Sequence, residues 1–502
     1  MRLGAVVFLA GAATLSTEIA ASRLLAPFFG SSTIVWANVI GLTLVYLSVG
    51  YWFGGRLADR RPSGALLGRI VLVAALALAV VPFVSRPFLD ATVRELDTVS
   101  VGAVVGSFLG ALALFAVPGT LLGTVSPFAI RLALPTVERA GTVAGRLYAL
   151  STIGSIVGTF ASALVAIPIV GTQRTLLGTA VLLAFAAALL LGARWQLAPV
   201  ALAALLAVSP GGIKRASGTL YEGESQYQYV AVRESADGSR QLQLNEGVIA
   251  NSVWFPNSVL TGGEWDMFLV VPPLRARPLH DVLVLGNAGG TTARALAALY
   301  PGVAIDGVEL DGTVTEAARR YLGLGSIPGL HVVTADARAY LRSTDERYDL
   351  IAIDAYRQPY IPFQVTTREF FSLVRGHLTP GGAVALNVSR VPGDRRLLRS
   401  LAATVRSEFG QAWTWDALRF NSLLFALDRP VTRVELVRRV GRVPPPLGPL
   451  VPLFRAHVAA AGFHGRVLTD DRAPVEWLSD RAILTYIAHG GRFDEHYLPT
   501  AP

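Results

Sequence analysis

The chain has 502 residues, 52% of them hydrophobic, and a formal net charge of +9; with a mean hydropathy of +0.49, it is too long and too apolar for one ordinary water-soluble core. It contains no cysteine, which excludes disulfides, thiolate catalysis and Cys-ligated zinc or iron–sulfur centres. The charge forms no basic stripe of the kind that tracks nucleic acid: residues 1–213 hold 13 Arg against 6 acids, and residues 214–502 hold 31 basic against 29 acidic side chains.

The first two hundred residues are a succession of nearly uncharged runs, long enough to cross about 30 Å of hydrocarbon. Spans are expected near 3–28, 31–55, 66–85, 99–130, 147–173 and 175–193. The first run leads into further runs with no clear cleavage site after it, so it reads as a span and not as a signal peptide. The fourth is too long for one straight crossing, and Pro118 and Pro127 are placed to kink or end it. Gly102, Gly106 and Gly110 recur every four residues, as do Gly154 and Gly158; small residues at that spacing let helices approach closely. Glu18 and Arg23 lie inside the first span. An ionisable group there is a relay candidate by default; the plainer account is a hydrogen bond inside the bundle for Glu18 and a snorkelling side chain for Arg23.

Arg56, Arg60 and Arg61 lie in one loop, and Arg131, Arg139 and Arg146 in another two spans later. Both loops should face the cytoplasm, and six spans then leave everything after Lys214 there too. The apolar stretch 195–209 is short for a crossing and reads as re-entrant or interfacial; were it to span, the second half of the chain would lie outside.

From Ser217 the texture changes. "YQYVAVRESADGSRQLQLNEGVIANSVW" alternates apolar and polar residues around the hairpin signal "ADGS", giving a small β-lobe at about 217–256. "GGEWDMFLVVPPL" reads as a helix. Apolar strands Val282–Leu285, Ile305–Glu309, Val332–Thr334, Leu350–Asp354 and Ala383–Asn387 then alternate with helical segments. One of these helices starts at a capping box of Thr366 and Glu369, and Pro380-Gly381-Gly382 ends the run. After about 430 come a Pro-rich linker, "VPPPLGP", and a tail. Such alternation means a mostly parallel sheet with helices on both faces. The expected fold class is a multi-pass α-helical membrane domain followed by an α/β domain with a small N-terminal β-lobe. The expected boundaries are 1–212, 213–280, 281–430 and 431–502.

Ligands of such sheets bind beyond the carboxyl ends of the strands. After the first strand comes Gly286-Asn287-Ala288-Gly289-Gly290, where glycines let the backbone approach a ligand and a helix N-terminus follows. It is neither G-x-G-x-x-G nor a Walker loop. After the second comes Glu309, 23 residues beyond Gly286, where a carboxylate can accept hydrogen bonds from a ribose diol. Asp311 reads as the cap of the next helix. After the third strand, Asp336 can hold an adenine amino group, with the Ala337 amide on a ring nitrogen. After the fourth, Asp354 stands at the mouth of the sheet. Each acid alone could be a cap or a solvated loop residue. Three at successive strand ends behind a Gly-rich turn fit an adenosine-containing ligand without a pyrophosphate, such as S-adenosylmethionine or a relative. The seven His are scattered and form no pair at metal-ligand spacing, so no metal site is expected.

The order "YQ", "LNEG", "VLVLGNAGG", "VELD", "ADARAYL", "YDLIAIDAY" and "GGAVALNV" resembles spermidine synthase, an aminopropyltransferase family, over roughly 220–430. "GGRLADRR" and "GRLYALSTIGSIVGT" resemble its membrane-fused branch. The resemblance implies a Rossmann-like domain of the S-adenosylmethionine-dependent methyltransferase type. It implies decarboxylated S-adenosylmethionine as co-substrate, with no prosthetic group. By position it makes Asp354 the catalytic carboxylate, Glu309 the ribose ligand, Asp336 with Ala337 the adenine ligand and Gln228 a reach from the β-lobe, with Gly286, Gly289 and Gly290 lining the nucleoside.

The departures fall on the amine side. The family's His-Glu before the first strand is Trp265-Asp266 here, the Asp in its Gly-rich loop is Gly289, and the second acid of its Asp-x-x-Asp is Arg357. An Arg beside the attack position disfavours a dication, since like charges 4 Å apart repel by about 4 kcal/mol at an effective dielectric near 20. Asp266 and Glu264 can supply replacement anions, and Trp265 can pack on a larger or less charged amine than putrescine. "LTDDRAPVEWL" offers Asp470 or Asp471 as a cover for the amine pocket, against the plainer account of a turn and cap.

The leading expectation is a cell-membrane aminopropyltransferase with its catalytic half in the cytoplasm. Its expected partners are the lipid bilayer, a small amine and a nucleoside substrate; no nucleic acid is expected, and the resemblance implies a homodimer. Two alternatives stand beside it: a transporter whose soluble domain senses a nucleoside or polyamine, and a methyltransferase using S-adenosylmethionine itself.

Overall fold

The structure, a computed structural model, describes residues 2–96, 102–134, 136–207, 212–214, 216–245, 250–357, 360–462, 464–491 and 497–500. Residues 99–101 at the head of the fourth expected span and Glu246-Gly247 of the "LNEG" motif lie outside the described residues. The chain packs as two units. The first is Met1–Ser217 with Glu222–Val230 and Leu244–Gly247; the second is Gly218–Tyr221, Ala231–Gln243 and Val248–Pro502.

The first unit is helical. It contains α1 (Arg2–Phe29), α2 (Thr33–Arg60), α3 (Gly64–Leu96), α4 (Gly102–Gly123), α5 (Val125–Ala133) and α6 (Ala140–Phe160). A π-helical turn, Ala161–Ala166, carries α6 into α7 (Ile167–Val170); α8 (Thr172–Leu191) and the short α9 (Leu197–Ala204) follow. Among the described residues, six helical stretches are long and apolar enough to cross a membrane: Arg2–Phe29, Thr33–Arg60, Gly64–Arg94, Val105–Ala133, Val137–Val170 and Thr172–Leu191. Ala193–Ala207 is apolar but too short to join them. The break in the fourth stretch falls at Thr124, whose hydroxyl bonds the Leu121 carbonyl at 2.7 Å. Pro127 sits in the first turn of α5, where no amide is required, so neither proline marks the break.

Helices α1 and α6 pack along each other, and glycine makes the approach possible. A Cβ on Gly154 would lie 2.0 Å from the Phe8 carbonyl oxygen, and one on Gly158 2.1 Å from that of Ala12. Ser162, in the π-helical turn, donates to Ser16 at 2.6 Å, and Ser16 meets Thr179 at 2.8 Å, so α1, the π turn and α8 share a buried polar contact. The guanidinium of Arg23 donates to the Gln226 carbonyl. The Glu224 carboxylate accepts from the Thr172 amide at 2.7 Å and so caps α8.

Four short strands, β1 (Thr219–Glu224), β2 (Tyr229–Glu234), β3 (Arg240–Leu244) and β4 (Ser252–Trp254), form a sheet in sequence order. The expected "ADGS" turn joins β2 to β3, with Gly238 at φ +80° and the Ser235 amide bonded to the Ser239 carbonyl at 2.9 Å.

The rest of the second unit is built on one eight-stranded sheet. Its elements are α10 (Trp265–Phe268), β5 (Asp281–Leu285), α11 (Thr291–Leu299), β6 (Ala304–Glu309), α12 (Gly312–Tyr321), β7 (Leu330–Thr334), α13 (Ala337–Ser343), β8 (Tyr348–Ile353), α14 (Arg368–Gly376) and β9 (Leu378–Ser389). Then come α15 (Arg396–Phe409), β10 (Trp413–Trp415), β11 (Asn421–Leu427), α16 (Arg433–Arg439), α17 (Leu450–His457), β12 (Val458–Ala460) and α18 (Val475–Ala488). The strand order is β12-β10-β11-β9-β8-β5-β6-β7. The run β9-β8-β5-β6-β7 is parallel, and β11, β10 and β12 continue it antiparallel.

Successive side chains of a strand point to opposite faces, and here both faces are covered. Val282 and Val284 enter one core with Leu296, Trp415 and Phe454; Leu283 and Leu285 enter the other with Phe370, Leu401 and Leu424. That two-sided burial is why these strands read as unbroken apolar runs.

Three local expectations change. The cap of α14 is Thr367, which accepts from the Phe370 amide at 3.3 Å; Thr366 instead bonds back to the Phe363 carbonyl. Pro380-Gly381-Gly382 does not end a helix but lies within β9, where the pairing jumps from Tyr348↔Leu378 to Leu350↔Ala383; the bulge takes up the residues that proline keeps out of the ladder. "GGEWDMFLVVPPL" gives a single helical turn, α10, and then a 3-10 turn at Pro272–Leu274. After residue 430, β12 pairs with β10, and Leu498 enters the core.

Candidate functional site

The switch point of the sheet lies between β5 and β8, from which chain order runs outward in both directions. At the carboxyl end of β5 the backbone turns sharply, with Gly286 at φ +86°, Ala288 at +42° and Gly290 at +77°. A Cβ on Gly286 would lie 2.5 Å from the Asp354 carbonyl oxygen, so only glycine lets the turn sit against the end of β8. The Gly289 amide bonds Ser252 Oγ at 2.8 Å. Asn287 is buried under the turn against Gly307, and its side-chain amide has no partner among the described residues.

Glu309, the last residue of β6, reaches under this turn. Its carboxylate accepts from the Ala288 amide and from the Asp311 amide, each at 3.0 Å. Burial pushes it up to about 7 against the pull of those amides. Asp311 caps α12 through the Thr313 amide at 3.0 Å. Asp336 follows β7 and caps α13, taking the Arg338 and Ala339 amides at 3.0 and 2.9 Å, both on Oδ1. Ala337 is the first residue of that helix.

Asp354 follows β8. Its amide is anchored on the Leu285 carbonyl at 2.8 Å, and its Oδ1 accepts from Asn387 Nδ2 at 3.0 Å. Asn387 is held in turn by Asn421 at 3.0 Å. The Tyr356 hydroxyl clamps the same strand end, donating to the Asn387 carbonyl at 2.9 Å and accepting from the Ser389 amide at 2.7 Å. Burial pushes Asp354 up to about 6, opposed by the Asn387 amide. Glu264 is near enough to feel that charge: burial first, and Asp354 second, push it up to about 7. Two carboxylates of raised proton affinity thus share this end of the groove, a setting suited to a cationic or proton-releasing ligand.

The other candidates are placed differently. Asp266 is fully buried and accepts from the Thr261 and Gly262 amides and from the Thr261 and Thr500 hydroxyls. Those donors spend it on the local fold, so of the neighbouring acids it is Glu264 that has charge to offer a ligand. Trp265 is buried, its ring against Gly263. Arg357 is exposed in a small bridge with Tyr360. Gln228 belongs to the first unit, where its amide bonds Ser225 Oγ at 3.0 Å. Asp470 is spent on a bidentate pair with Arg338, at 2.7 and 2.6 Å, and on the Thr367 hydroxyl. Sequence reasoning passed over Asn387 and Tyr356; the available signal was an Asn interrupting the apolar run "AVALNV".

A parallel sheet in this order, antiparallel at one edge, with a Gly-rich turn after its first strand and acids after the next three, is a Rossmann-like domain of the methyltransferase type. Within that class, residues 266–412 match the family model described as spermine/spermidine synthase domain. A probable polyamine aminopropyl transferase of Bifidobacterium longum is 38% identical over 199 residues, which are 39% of this chain and 44% of the relative. A polyamine aminopropyltransferase of Vibrio vulnificus is 34% identical over 137 residues, 27% of this chain and 45% of the relative. The chain thus spans less than half the length of these curated relatives. Among solved structures, a probable spermidine synthase from Corynebacterium glutamicum aligns at 18% identity and a TM-score of 0.39, covering 56% of this chain and 98% of that one. A spermidine synthase in complex with the transition-state analogue AdoDATO aligns at 23% identity and a TM-score of 0.36, covering 42% and 74%.

Proposed function

We propose that the protein is a membrane-tethered aminopropyltransferase, transferring the aminopropyl group of decarboxylated S-adenosylmethionine to an amine. The observation that carries this reading is Asp354: a carboxylate at the switch-point end of β8, fixed by Asn387, pushed up to about 6 by burial, with Glu264 beside it. In this reading Glu309 accepts the ribose hydroxyls, and Asp336 with the Ala337 amide reads adenine. The glycines at 286, 289 and 290 leave room for the nucleoside backbone-on. The amine nitrogen attacks the methylene carbon beside the sulfonium. The carbon–sulfur bond breaks with its electron pair going to sulfur, neutral methylthioadenosine leaves, and the proton released by nitrogen passes to Asp354. Glu264 holds the incoming cation, Trp265 walls the pocket, and Asp266 keeps the loop that carries both in shape. The loss of acids at Gly289 and Arg357 favours an acceptor other than putrescine.

The membrane part of the proposal is supported by the surface of the first unit. Leu44, Trp52, Phe53, Phe160 and Leu164 are each more than half exposed on its long apolar helices, a surface that needs lipid to cover it. The Arg-rich loops belong in the cytoplasm. A methyltransferase would need a cation for the methionine carboxylate, and the exposed Arg357 is the one candidate the motif positions offer.

Purified protein in detergent, given decarboxylated S-adenosylmethionine and a panel of di- and polyamines, should release methylthioadenosine in an amine-dependent way, and Asp354→Asn should not. Release of S-adenosylhomocysteine from S-adenosylmethionine instead would replace this reading with the methyltransferase one.

A further inference from the structure

Beyond Asp354 the chain leaving the sheet turns basic. Arg390 follows the end of β9, and Arg395, Arg396 and Arg399 stand at the start of α15. These four, with Tyr486 and His489 after them, line an open cavity of about 570 Å³, within the range of small-molecule sites. A second cavity of about 390 Å³ shares Arg395 and Arg399 and adds His464.

Among the described residues the charges are not balanced. Arg396 pairs with Asp394, and Arg395 and Arg390 converge on Asp416 at 2.5 and 3.9 Å. Arg481 of α18 also acts on Asp394. Five guanidiniums therefore face two carboxylates. Arg399 is exposed and has no ion pair among the described residues. At the N-terminus of α15 the Arg396 amide is taken by Asp394 at 2.9 Å, so the unbalanced charge rests on the guanidiniums. A solvated basic face would spread its arginines over a convex surface; here they converge on a concavity. Guanidinium forks match phosphate oxygens in shape and charge.

The cavity is also close to the chemistry. Ile353 pairs with Leu386 across β8 and β9, so Asp354 lies abreast of Asn387. Arg390 is three residues further on, at most about 10 Å of extended chain.

We infer that this arginine-lined cavity is a subsite for the phosphate-bearing end of the acceptor, whose amine reaches Asp354. This rests on the aminopropyl reading for the role of the amine, but the phosphate site can be tested without turnover. Pyrophosphate titrated calorimetrically into the full chain in detergent should bind. Arg399→Gln should weaken it at least tenfold, Arg395→Gln with Arg399→Gln should abolish it, and Arg319→Gln, which removes an exposed charge from α12, should leave it unchanged. Among the described residues Arg399 has no ion pair to lose, so the variant's unfolding temperature should match the parent's. No binding, or equal binding by all variants, overturns the subsite. In the turnover arm, free ω-aminoalkyl phosphates are set against vesicles carrying an amine-terminated phospholipid. Preferential use of either over simple diamines, with the preference lost in Arg399→Gln, supports the assignment and identifies the source. Preference for diamines, unchanged by Arg399→Gln, overturns it. Were no amine used at all while pyrophosphate binding still followed the arginines, the aminopropyl reading would fall and the phosphate site would stand.

Discussion

The chemistry proposed for Asp354 has a cost that the fold must bear. Its carboxyl is held at about 6, above its ordinary value near 3.8. A folded-state value raised in this way means the folded protein holds its proton more tightly than the unfolded chain. The associated stability is complete below the unfolded value and is lost as pH rises through about 6. At pH 8 the unliganded protein therefore carries an ionised, desolvated Asp354, and Asp354→Asn should relieve it. The expected result is a domain more stable by about 1–3 kcal/mol at pH 8 and little changed at pH 4.5, read as a pH-dependent rise in unfolding temperature. The same variant should lose about 10²–10⁴ in kcat, the usual worth of a positioned base. Parent kcat/KM should rise through about 6 as Asp354 ionises. An equal loss of stability at both pH values would mean that the carboxyl is held by partners, not penalised by burial.

Glu264 makes a second prediction at this scale. Ionised, it attracts a cationic amine; at about 7 it is half protonated in neutral buffer. Affinity for the acceptor should therefore improve as pH rises through 7. Glu264→Gln should raise the acceptor KM about tenfold, roughly 1.4 kcal/mol, flatten that limb and leave nucleoside affinity intact. If KM does not move, Glu264 is only a neighbour of the site.

Among the elements, the turn after β5 couples fold to site most tightly. Gly286→Ala would drive a methyl group to 2.5 Å from the Asp354 carbonyl in a left-handed conformation at φ +86°. The strain costs about 1–3 kcal/mol and falls on the strand end that carries Asp354. Unfolding temperature and methylthioadenosine affinity should drop together; a drop in stability alone would separate the turn from the ligand. That turn was legible in the sequence, and so were β5 to β9, because strands buried on both faces are written as apolar runs between turn residues. The edge of the sheet was not. β10 is "WTW" and β12 is "VAA", three residues each, and their pairing depends on partners tens of residues away. Asp336 shows the same limit within the site. Its position after β7 was readable, but cap and ligand group were equally open there, and only the folded chain shows the cap on the Arg338 and Ala339 amides. Asn387 was missed because an Asn at a strand end has no spacing rule, and only the folded sheet brings it to Asp354.

For the molecule as a whole, what remains open in the sequence is the parity of crossings, since one extra span moves the catalytic half to the other side. Length argues for six, and the contacts of the first unit argue for seven. The 15 residues of Ala193–Ala207 make about 22 Å of helix at 1.5 Å per residue, short of the hydrocarbon thickness of about 30 Å. Against it, Thr172 opens α8 at the end opposite the loops with Arg56, Arg60 and Arg61 and with Arg131, Arg139 and Arg146, and its amide bonds Glu224, so within the first unit the chain has returned to that opposite end by residue 224. The absence of cysteine makes this directly testable, because a single introduced thiol is the only one in the protein. Val137 and Val434 are 80% and 78% exposed, one between α5 and α6 and the other in the second unit. Val137→Cys should react with a membrane-impermeant maleimide only after the cells are opened, and with six crossings so should Val434→Cys. Thr33→Cys, at the head of α2, should react in intact cells. If Val434→Cys sides with Thr33→Cys, the short apolar segment crosses the bilayer. The catalytic half would then work outside the cell, away from the cytoplasmic nucleoside pool on which the aminopropyl proposal depends.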